Sequence, residues 1–311
     1  MARKRKGEKV DGWINLDKPA GMTSTQAVGK VRWLFNAQKA GHAGTLDPLA
    51  TGILPIALGE ATKTVPFAQD RLKTYRFTVK WGEQRDTDDG EGSVIATSDM
   101  RPTLGQIESI LGKYLGEIEQ TPPKFSAIKI DGQRAYDLAR EGQDVELKSR
   151  IVYVETLTIL ESKDDETAFE ITCGKGTYIR SLARDMALDL GTCGYVSALR
   201  RTAVGPFTEE NAISLEKLEE LGDSPALVEA LLPLETALDD IPALAIKENE
   251  AARLKSGQML SFIARPDFKR LEETGLDEEG WQTALAVYKG KPIALVEIEG
   301  PDIKPVKVLN L

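Results

Sequence analysis

The sequence predicts an α+β fold, in which helices flank a mixed, largely antiparallel sheet and a small β-rich domain follows at the C-terminus. Three observations support this prediction. Segments with strand and helix patterns alternate irregularly, and no strict βαβ repeat or internal repeat interrupts them. A length of 311 residues suits one large domain with a smaller one. The composition is that of a globular protein, because 41% of the residues are hydrophobic and 29% are charged.

The patterns of the larger domain lie in the first two thirds of the chain. Alternating or apolar runs predict strands at 13–16, 74–81, 127–130, 152–160, 169–173 and 195–202. Helical spacing of apolar residues predicts one helix capped by Ser24 and another opened by Thr103. A third predicted helix begins at Thr177 and ends at Gly191, which suits a C-terminal glycine. Three glycines and a proline predict a loop over 41–52.

The sequence changes character around 233–242, where two prolines bracket a short acidic segment. Beyond this point the pattern predicts a helix over 248–255, strands near 284–288 and 293–298, and an acidic loop over 266–281. The predicted organisation is therefore a basic, flexible N-terminus (1–10), a large domain (11–240) and a small C-terminal domain (241–311).

His42 is the only histidine, which excludes several classes of site. A His-rich zinc site and a two-histidine iron site are ruled out, and any catalytic triad must use His42. Acid–base chemistry therefore falls mainly to carboxylates, tyrosine, lysine or arginine. The two cysteines, Cys173 and Cys193, make no disulfide framework, and no apolar run is long enough to span a bilayer. These observations predict a reducing, cytoplasmic location.

The charge of the chain is distributed unevenly. The formal net charge is −9, which alone argues against binding to nucleic acid. Residues 1–80, however, hold 14 Lys or Arg against 6 Asp or Glu, and the acidic excess lies after them. A basic front segment on an acidic chain is the pattern of a protein with a polyanionic partner.

Asp47 is the carboxylate in the predicted loop that stands out as a functional candidate. The proline that follows it pushes Asp47 away from helical conformation. Apolar residues after this proline indicate that the loop enters a core, where a carboxylate needs a cationic or hydrogen-bonding partner. Arg180, in the first turn of a predicted helix, is a candidate for that partner. Taken singly, Asp47 fits an ordinary turn, Arg180 a solvated helix face and Tyr75 a packed strand.

Six sequence blocks occur in the order found in a known family. They are GWINLDKPAGMTS at 12–24, GHAGTLDPLATGILP at 41–55, KTYRF at 73–77, PPKFSAIK at 122–129, GTYIRSLARD at 176–185 and ALRRT at 198–202. Over residues 12–207 the chain resembles the TruB family, the bacterial tRNA pseudouridine-55 synthases. Phe125 and Arg85 depart from the residues usual in that family, at positions peripheral to the chemistry. The last 70 residues match less well, although 254–258 is compatible with a PUA domain.

The resemblance implies a pseudouridine-synthase fold with a PUA-like RNA-binding domain at the C-terminus. It also implies an isomerase that converts uridine 55 in the T loop of tRNA to pseudouridine after flipping the base. Asp47 is the implied catalytic carboxylate, which either attacks the sugar or assists departure of the base. Arg180 pairs with Asp47 and keeps it ionised, whereas Tyr75 stacks on the flipped base and takes part in the proton shift.

The resemblance also implies where the substrate binds. His42 occupies space near the vacated stack, Tyr178 and Leu199 line the uracil pocket, and Lys18 and Lys63 contact phosphates. The partner is the T stem-loop of tRNA, and no metal, organic cofactor, membrane or obligate protein partner is implied. Because an acidic chain must gather its basic groups to bind RNA, we expect the cations of residues 1–80 to surround the cleft.

Two other classes of function stay open at this point. A non-catalytic protein that binds or folds tRNA would use the same basic cleft, but such a protein gains nothing from Asp47 near phosphates. A glycosidase-like hydrolase would need paired carboxylates, and no second carboxylate lies in a comparable motif. Conversion of uridine to pseudouridine in an unmodified tRNA, without added cofactor, separates these classes from an isomerase.

Overall fold

A computed structural model of the chain describes residues 7–125, 129–130, 133–134, 147–222, 224–276 and 282–311. The predicted flexible N-terminus lies outside the described residues over 1–6, and the predicted strand at 127–130 does so over 127–128. Residues 7–10 are held against the fold, because the amide of Glu8 donates to the carbonyl of Asn36 and its carbonyl accepts from Gln38. The flexibility predicted for 1–10 therefore does not extend to Glu8.

The elements of the larger unit follow one another irregularly along the chain. Their order is β1 (Gly12–Lys18), α1 (Ser24–Leu34), β2 (Ala40–His42), β3 (Thr51–Leu58), α2 (Val65–Asp70), β4 (Lys73–Trp81), β5 (Glu83–Arg85), β6 (Val94–Thr97), α3 (Leu104–Leu111), β7 (Gly116–Gln120), β8 (Lys129–Ile130), β9 (Gln133–Arg134), β10 (Arg150–Ser162), β11 (Glu166–Cys173), α4 (Ile179–Asp189), β12 (Gly194–Val204), β13 (Phe207–Thr208), β14 (Ile213–Ser214), α5 (Leu215–Leu221) and α6 (Pro225–Glu229). Short 3-10 helices lie at Gly59–Lys63, Gly112–Tyr114, Glu209–Asn211 and Leu234–Leu238.

One sheet organises this unit. Its strands are ordered β14-β1-β3-β12-β4-β11-β10-β7, with β2 attached to β3 and β13 to β12 within the described residues. The β1–β14 and β3–β12 pairs are parallel, and the other neighbours are antiparallel. The predicted mixed, largely antiparallel sheet is therefore confirmed. Strand β4 lies at its centre and buries every second side chain, as a half-buried strand should.

Two helix starts differ from the prediction. Thr23, not Ser24, caps α1, because its hydroxyl accepts from the amide of Gln26 and the Gln26 side chain returns to the Thr23 amide. Ser24 is instead buried and faces the neighbouring loop. The N-cap of α4 is Tyr178 without a side-chain cap, whereas the Thr177 hydroxyl donates to the carbonyl of Gly174.

The C-terminal unit is a second, smaller sheet. Its elements are β15 (Ala243–Ala245), α7 (Glu248–Lys255), β16 (Leu260–Ser261), α8 (Arg265–Glu272), β17 (Gln282–Tyr288), β18 (Lys291–Glu299) and β19 (Asp302–Val308), with sheet order β15-β17-β18-β19-β16 in the described part. The predicted β-rich C-terminus is confirmed. The loop predicted over 266–281 is wrong over its first part, where α8 forms.

The two units share buried apolar surface. Trp13 and Ile53 of the large sheet belong to the same buried cluster as Leu285, Leu295 and Leu309 of the small one. Burial of this kind provides most of the stabilisation of a packed interface.

No helix in the described residues is both long and apolar enough to cross a membrane.

Candidate active site

A cleft of about 630 Å³ opens where the central strand, the 43–50 loop and the start of α4 meet. Its walls come from five parts of the chain: 44–47; 69, 70, 73 and 75; 150–152; 174–180; and 199 and 201. This volume is in the range typical of clefts that bind small molecules. Five of the predicted site residues line it, namely Asp47, Tyr75, Tyr178, Arg180 and Leu199.

Ser24 anchors the Asp47 loop by two hydrogen bonds to the backbone of Leu46. Its hydroxyl donates to the carbonyl of Leu46 at 3.0 Å and accepts from the amide of Leu46 at 2.8 Å. Leu46 itself is buried, and the amide of Ala50 closes a turn onto the carbonyl of Asp47 at 3.1 Å. The predicted loop over 41–52 is therefore shorter at both ends, because β2 and β3 include its first two and last two residues. Asp47 projects from an anchored turn into the cleft.

Arg180 meets Asp47 in the cleft wall. Its Nε lies 2.9 Å from Oδ2 of Asp47, as an ion pair without linear hydrogen-bond geometry. Its other nitrogens donate to the carbonyls of Thr87 at 2.9 Å and Phe125 at 3.1 Å, and Nη1 lies 3.4 Å from Oδ2 of Asp89. The Arg180 side chain is only 5% exposed, whereas that of Asp47 is 32% exposed. A buried, multiply held guanidinium therefore orients a carboxylate that is accessible from the cleft.

Lys18 lies beneath the same loop rather than on the surface. Its ammonium donates to the carbonyls of Pro19 and Met22 at 2.8 Å and to that of Pro48 at 3.4 Å. The residue is fully buried, and this burial lowers the pKa of its ammonium to about 8. The structure therefore leaves the Lys18 ammonium unexposed for the predicted phosphate contact. Lys18 ties β1 to the turn that follows Asp47.

Tyr75 forms part of the floor of the cleft from β4. Its ring is almost completely buried, and burial raises the pKa of its hydroxyl. The guanidinium of Arg201 lies 5.9 Å from the ring centroid. A buried aromatic face of this kind, next to an aspartate, suits a flat ligand group.

Tyr178 and Leu199 line the cleft from α4 and β12. The backbone of Tyr178 is held by Gln120, whose Oε1 accepts from the Tyr178 amide at 2.7 Å and whose Nε2 donates to its carbonyl at 3.1 Å. The guanidinium of Arg150 lies 4.9 Å from the Tyr178 ring centroid. Gln120 therefore holds the backbone of Tyr178, and Arg150 packs against the face of its ring.

His42 and Lys63 do not line the cleft. His42 ends β2, where it pairs with Ile56 of β3, and burial lowers the pKa of its imidazole. Lys63 lies 2.6 Å from Oε2 of Glu60 and donates to the carbonyl of Val308 at 2.7 Å. These contacts join the first unit to the last strand, and the phosphate contact of Lys63 stays a prediction.

The cations that line the cleft are not those the charge pattern predicts. Among the described residues, one such cation, Lys73, comes from the first 80 positions, and four follow later in the chain: Arg150, Lys175, Arg180 and Arg201. Several early cations instead form ion pairs with later acidic residues, namely Lys30 with Glu219, Arg71 with Asp239 and Asp240, Arg76 with Glu170, and Lys80 with Asp165. For the described cations of residues 7–80, the expectation that they surround the cleft is therefore wrong except at Lys73, and Arg3 to Lys6 lie outside the described residues.

Arg201 lines the cleft although no sequence pattern assigned it a role, whereas Lys73 is one of the cations of residues 1–80 that were expected there. Arg201 lies two positions from the predicted site residue Leu199 on the same strand. Side chains two apart on a strand share a face, so strand periodicity is the signal that identifies Arg201. Among the residues described, no group of three or more His, Cys, Asp or Glu side chains is arranged to hold a metal ion.

Comparison with protein families gives two adjoining matches. Residues 32–179 match the model of the TruB family pseudouridylate synthase N-terminal domain, and residues 180–239 match that of the tRNA pseudouridylate synthase B C-terminal domain. The chain is 53% identical to the tRNA pseudouridine synthase B of Caulobacter sp. strain K31 over the full length of both. It is 51% identical to the protein of the same name from Rhodospirillum rubrum, again over both full lengths.

Two solved structures share the fold. A chain from the crystal structure of a Cbf5-Nop10-Gar1 complex has a TM-score of 0.71 and 27% identity, and the match covers 96% of this chain and 84% of that one. A chain from an H/ACA RNP bound to a substrate RNA containing 2'-deoxyuridine has a TM-score of 0.73 and 24% identity, with 100% and 92% covered. The second likeness, at this identity, concerns the fold alone.

Proposed function

Because the chain belongs to the TruB family of pseudouridylate synthases, we propose that it converts uridine 55 in the T loop of tRNA to pseudouridine, with Asp47 as the catalytic carboxylate. Members of this family are isomerases that convert uridine in RNA to pseudouridine, and this chain is one of them. The observation that supports the role of Asp47 is its ion pair with the buried Arg180 inside the cleft. The cytoplasmic location stays a prediction.

The reaction rearranges one nucleotide without adding or removing atoms. The bond from C1′ of the ribose to N1 of uracil breaks, the base turns, and C1′ bonds to C5. The proton on C5 leaves, and N1 gains one. Asp47 acts either by attacking C1′ or by assisting the departing base. Because both routes need the carboxylate to reach the sugar, Arg180 favours both by orienting Asp47 through their ion pair.

The remaining cleft residues bind the flipped base. Tyr75 stacks on the uracil and takes part in the proton shift, since it lines the same cleft as Asp47. Tyr178 and Leu199 form the walls of the uracil pocket. His42 lies five residues before Asp47 at the end of β2 and meets the RNA near the vacated stack. Extrusion of the base costs a few kcal/mol, which contacts of this kind offset.

The tRNA T stem-loop extends beyond one nucleotide and needs further contacts. Arg150 and Lys175 at the cleft carry positive charge suited to its phosphates. We assign catalysis to residues 11–240 and an RNA-binding, PUA-like role to 241–311, whose small sheet packs against the large one.

The test is release of tritium from C5 of uridine in an unmodified tRNA transcript, without added cofactor. We expect one equivalent of tritium per tRNA and a pseudouridine mapped to position 55. A transcript with cytidine at position 55 is the matched control and should release none from that site. Tight tRNA binding without tritium release would instead indicate a non-catalytic RNA-binding protein. Pseudouridine at another position would overturn the assignment to uridine 55.

A further inference from the structure

Arg201 is a buried arginine whose side chain lies between the Asp47 loop and Tyr75. It is 1% exposed and belongs to the strand β12 that also contains Leu199. All three of its guanidinium nitrogens donate to backbone carbonyls: Nε to Ile53 at 2.7 Å, Nη2 to Gly44 at 3.1 Å and Nη1 to Thr45 at 3.4 Å. These carbonyls lie on both sides of Asp47 along the chain.

The backbone around this arginine is built for close approach. Strands β3 and β12 run parallel and pair Gly52 with Arg201. Gly52 has a φ of +99°, and a Cβ there would overlap the carbonyl oxygen of Arg201. Gly44 has a φ of +102°, which turns its carbonyl toward the guanidinium. Two glycines with positive φ therefore let the loop close over one side chain.

The guanidinium of Arg201 also lies over the ring of Tyr75. It lies 5.9 Å from the ring centroid of Tyr75, so one rigid, planar group contacts the aspartate loop and the aromatic floor together. Its neighbour Arg200 points to the other face and pairs with Asp17 at 2.9 Å and Glu209 at 2.6 Å. Of these two arginines, Arg201 is therefore the one that contacts both the Asp47 loop and Tyr75.

We propose that Arg201 is a positioning residue for the isomerisation, which sets the distance between the Asp47 carboxylate and the base stacked on Tyr75. This inference rests on the proposed function. Lysine has the charge of arginine but carries its donors on one nitrogen, so it cannot reach the carbonyls of Gly44, Thr45 and Ile53 from three separated nitrogens as the planar guanidinium does. A displacement of about 1 Å at a reacting group costs on the order of 100-fold in rate.

The experiment compares Arg201→Lys with the wild type. We expect the single-turnover rate of tritium release to fall about 100-fold, with the dissociation constant for tRNA within about threefold. Hydrogen–deuterium exchange of the amides at 43–52 should quicken by about tenfold or more, because the loop loses its anchor. If Arg201→Lys melts below the assay temperature, Arg201→Gln takes its place with the same readouts, since it leaves no unpaired charge behind.

Arg200→Lys is the matched control on the same strand. It should keep the wild-type rate and the wild-type exchange at 43–52, because its partners are carboxylates outside the cleft. A rate within threefold of wild type in the folded Arg201 variant would overturn the proposal. A slow variant with unchanged exchange at 43–52 would also overturn it. The exchange readout needs no activity, so an inactive wild-type protein would refute the proposed function and still leave the loop anchor tested.

Discussion

Replacing Arg180 with methionine removes the cation that joins Asp47 to Asp89. Methionine fills much of the same space but leaves two carboxylates without their partner, Asp47 and Asp89. These carboxylates differ in burial, because the Asp47 side chain is 32% exposed and that of Asp89 is 4% exposed. Water therefore solvates Asp47 in the variant, and Asp89 is the charge that remains buried and unpaired.

The contacts of Asp89 determine how much the free energy of unfolding should fall. Breaking a buried ion pair from one side typically costs 3–5 kcal/mol. Asp89 keeps its hydrogen bonds from the Thr87 hydroxyl at 2.6 Å and the Glu91 amide at 3.1 Å, which places the loss near the lower end. We expect the free energy of unfolding to fall by about 3 kcal/mol, which is about 5 °C in the melting temperature of a chain of this length.

A double variant separates the effect on stability from the effect on activity. Adding Asp89→Asn to Arg180→Met removes the stranded charge and should return about 2 kcal/mol, as measured by urea unfolding followed by tryptophan fluorescence. Neither variant should regain activity, because both lack the group that aims Asp47. A double variant no more stable than Arg180→Met would refute the assignment of the stranded charge to Asp89. Tritium release within tenfold of wild type in Arg180→Met would refute the role of Arg180 in orienting Asp47.

Three further substitutions test the electrostatics of the cleft and its surroundings. Asp70→Asn frees Lys175, whose Nζ lies 2.7 Å from Oδ1 of Asp70 at the cleft. This variant should bind tRNA about two- to fivefold more tightly, and the slope of log affinity against log salt should steepen by up to about one unit. An unchanged slope in filter binding would contradict this expectation. The pKa of Lys18 is about 8 in the fold against 10.5 for an ordinary lysine, so the unfolded chain binds more protons between these values and stability rises with pH there. Lys18→Met should lack a rise of as much as about 3 kcal/mol between pH 7.5 and 10.5 in urea unfolding, and parallel curves would contradict the cause given. Lys63→Ala should leave tRNA affinity within about twofold but lower the free energy of unfolding by about 1 kcal/mol, because its ammonium bonds the carbonyl of Val308; weaker tRNA binding at unchanged stability would instead support the phosphate contact.

The fold class followed from the sequence because it depends on local patterns. The alternation along β4 and the helical spacing in α4 are strong enough to survive in the tertiary structure. The helix α8 was missed because its apolar positions are few. Polar contacts with other elements stabilise it instead, since Arg270 pairs with Glu250 at 2.8 Å and lies 4.1 Å from the ring centroid of Phe262.

Five predicted site residues lie together in the cleft, whereas the positions of Lys18 and Lys63 depend on contacts with distant parts of the chain. In the sequence Lys18 resembles a surface cation. In the structure it is buried, and its ammonium donates to three backbone carbonyls, one of them 30 positions away at Pro48. Lys63 meets a strand that lies more than 240 positions later in the chain. Nothing local distinguishes Arg201 from Arg200 except strand periodicity, which places Arg201 on the same face as Leu199.

The most direct test of the account compares Asp47→Asn with Asp11→Asn in the tRNA assay. Both substitutions remove one carboxylate charge, but Asp11 lies outside the cleft, where its Oδ1 accepts from the Glu60 amide and an asparagine retains that acceptor. We predict that Asp47→Asn folds, binds tRNA and forms no detectable pseudouridine, whereas Asp11→Asn forms it at the wild-type rate. Turnover by Asp47→Asn at the rate of the control would contradict the central claim.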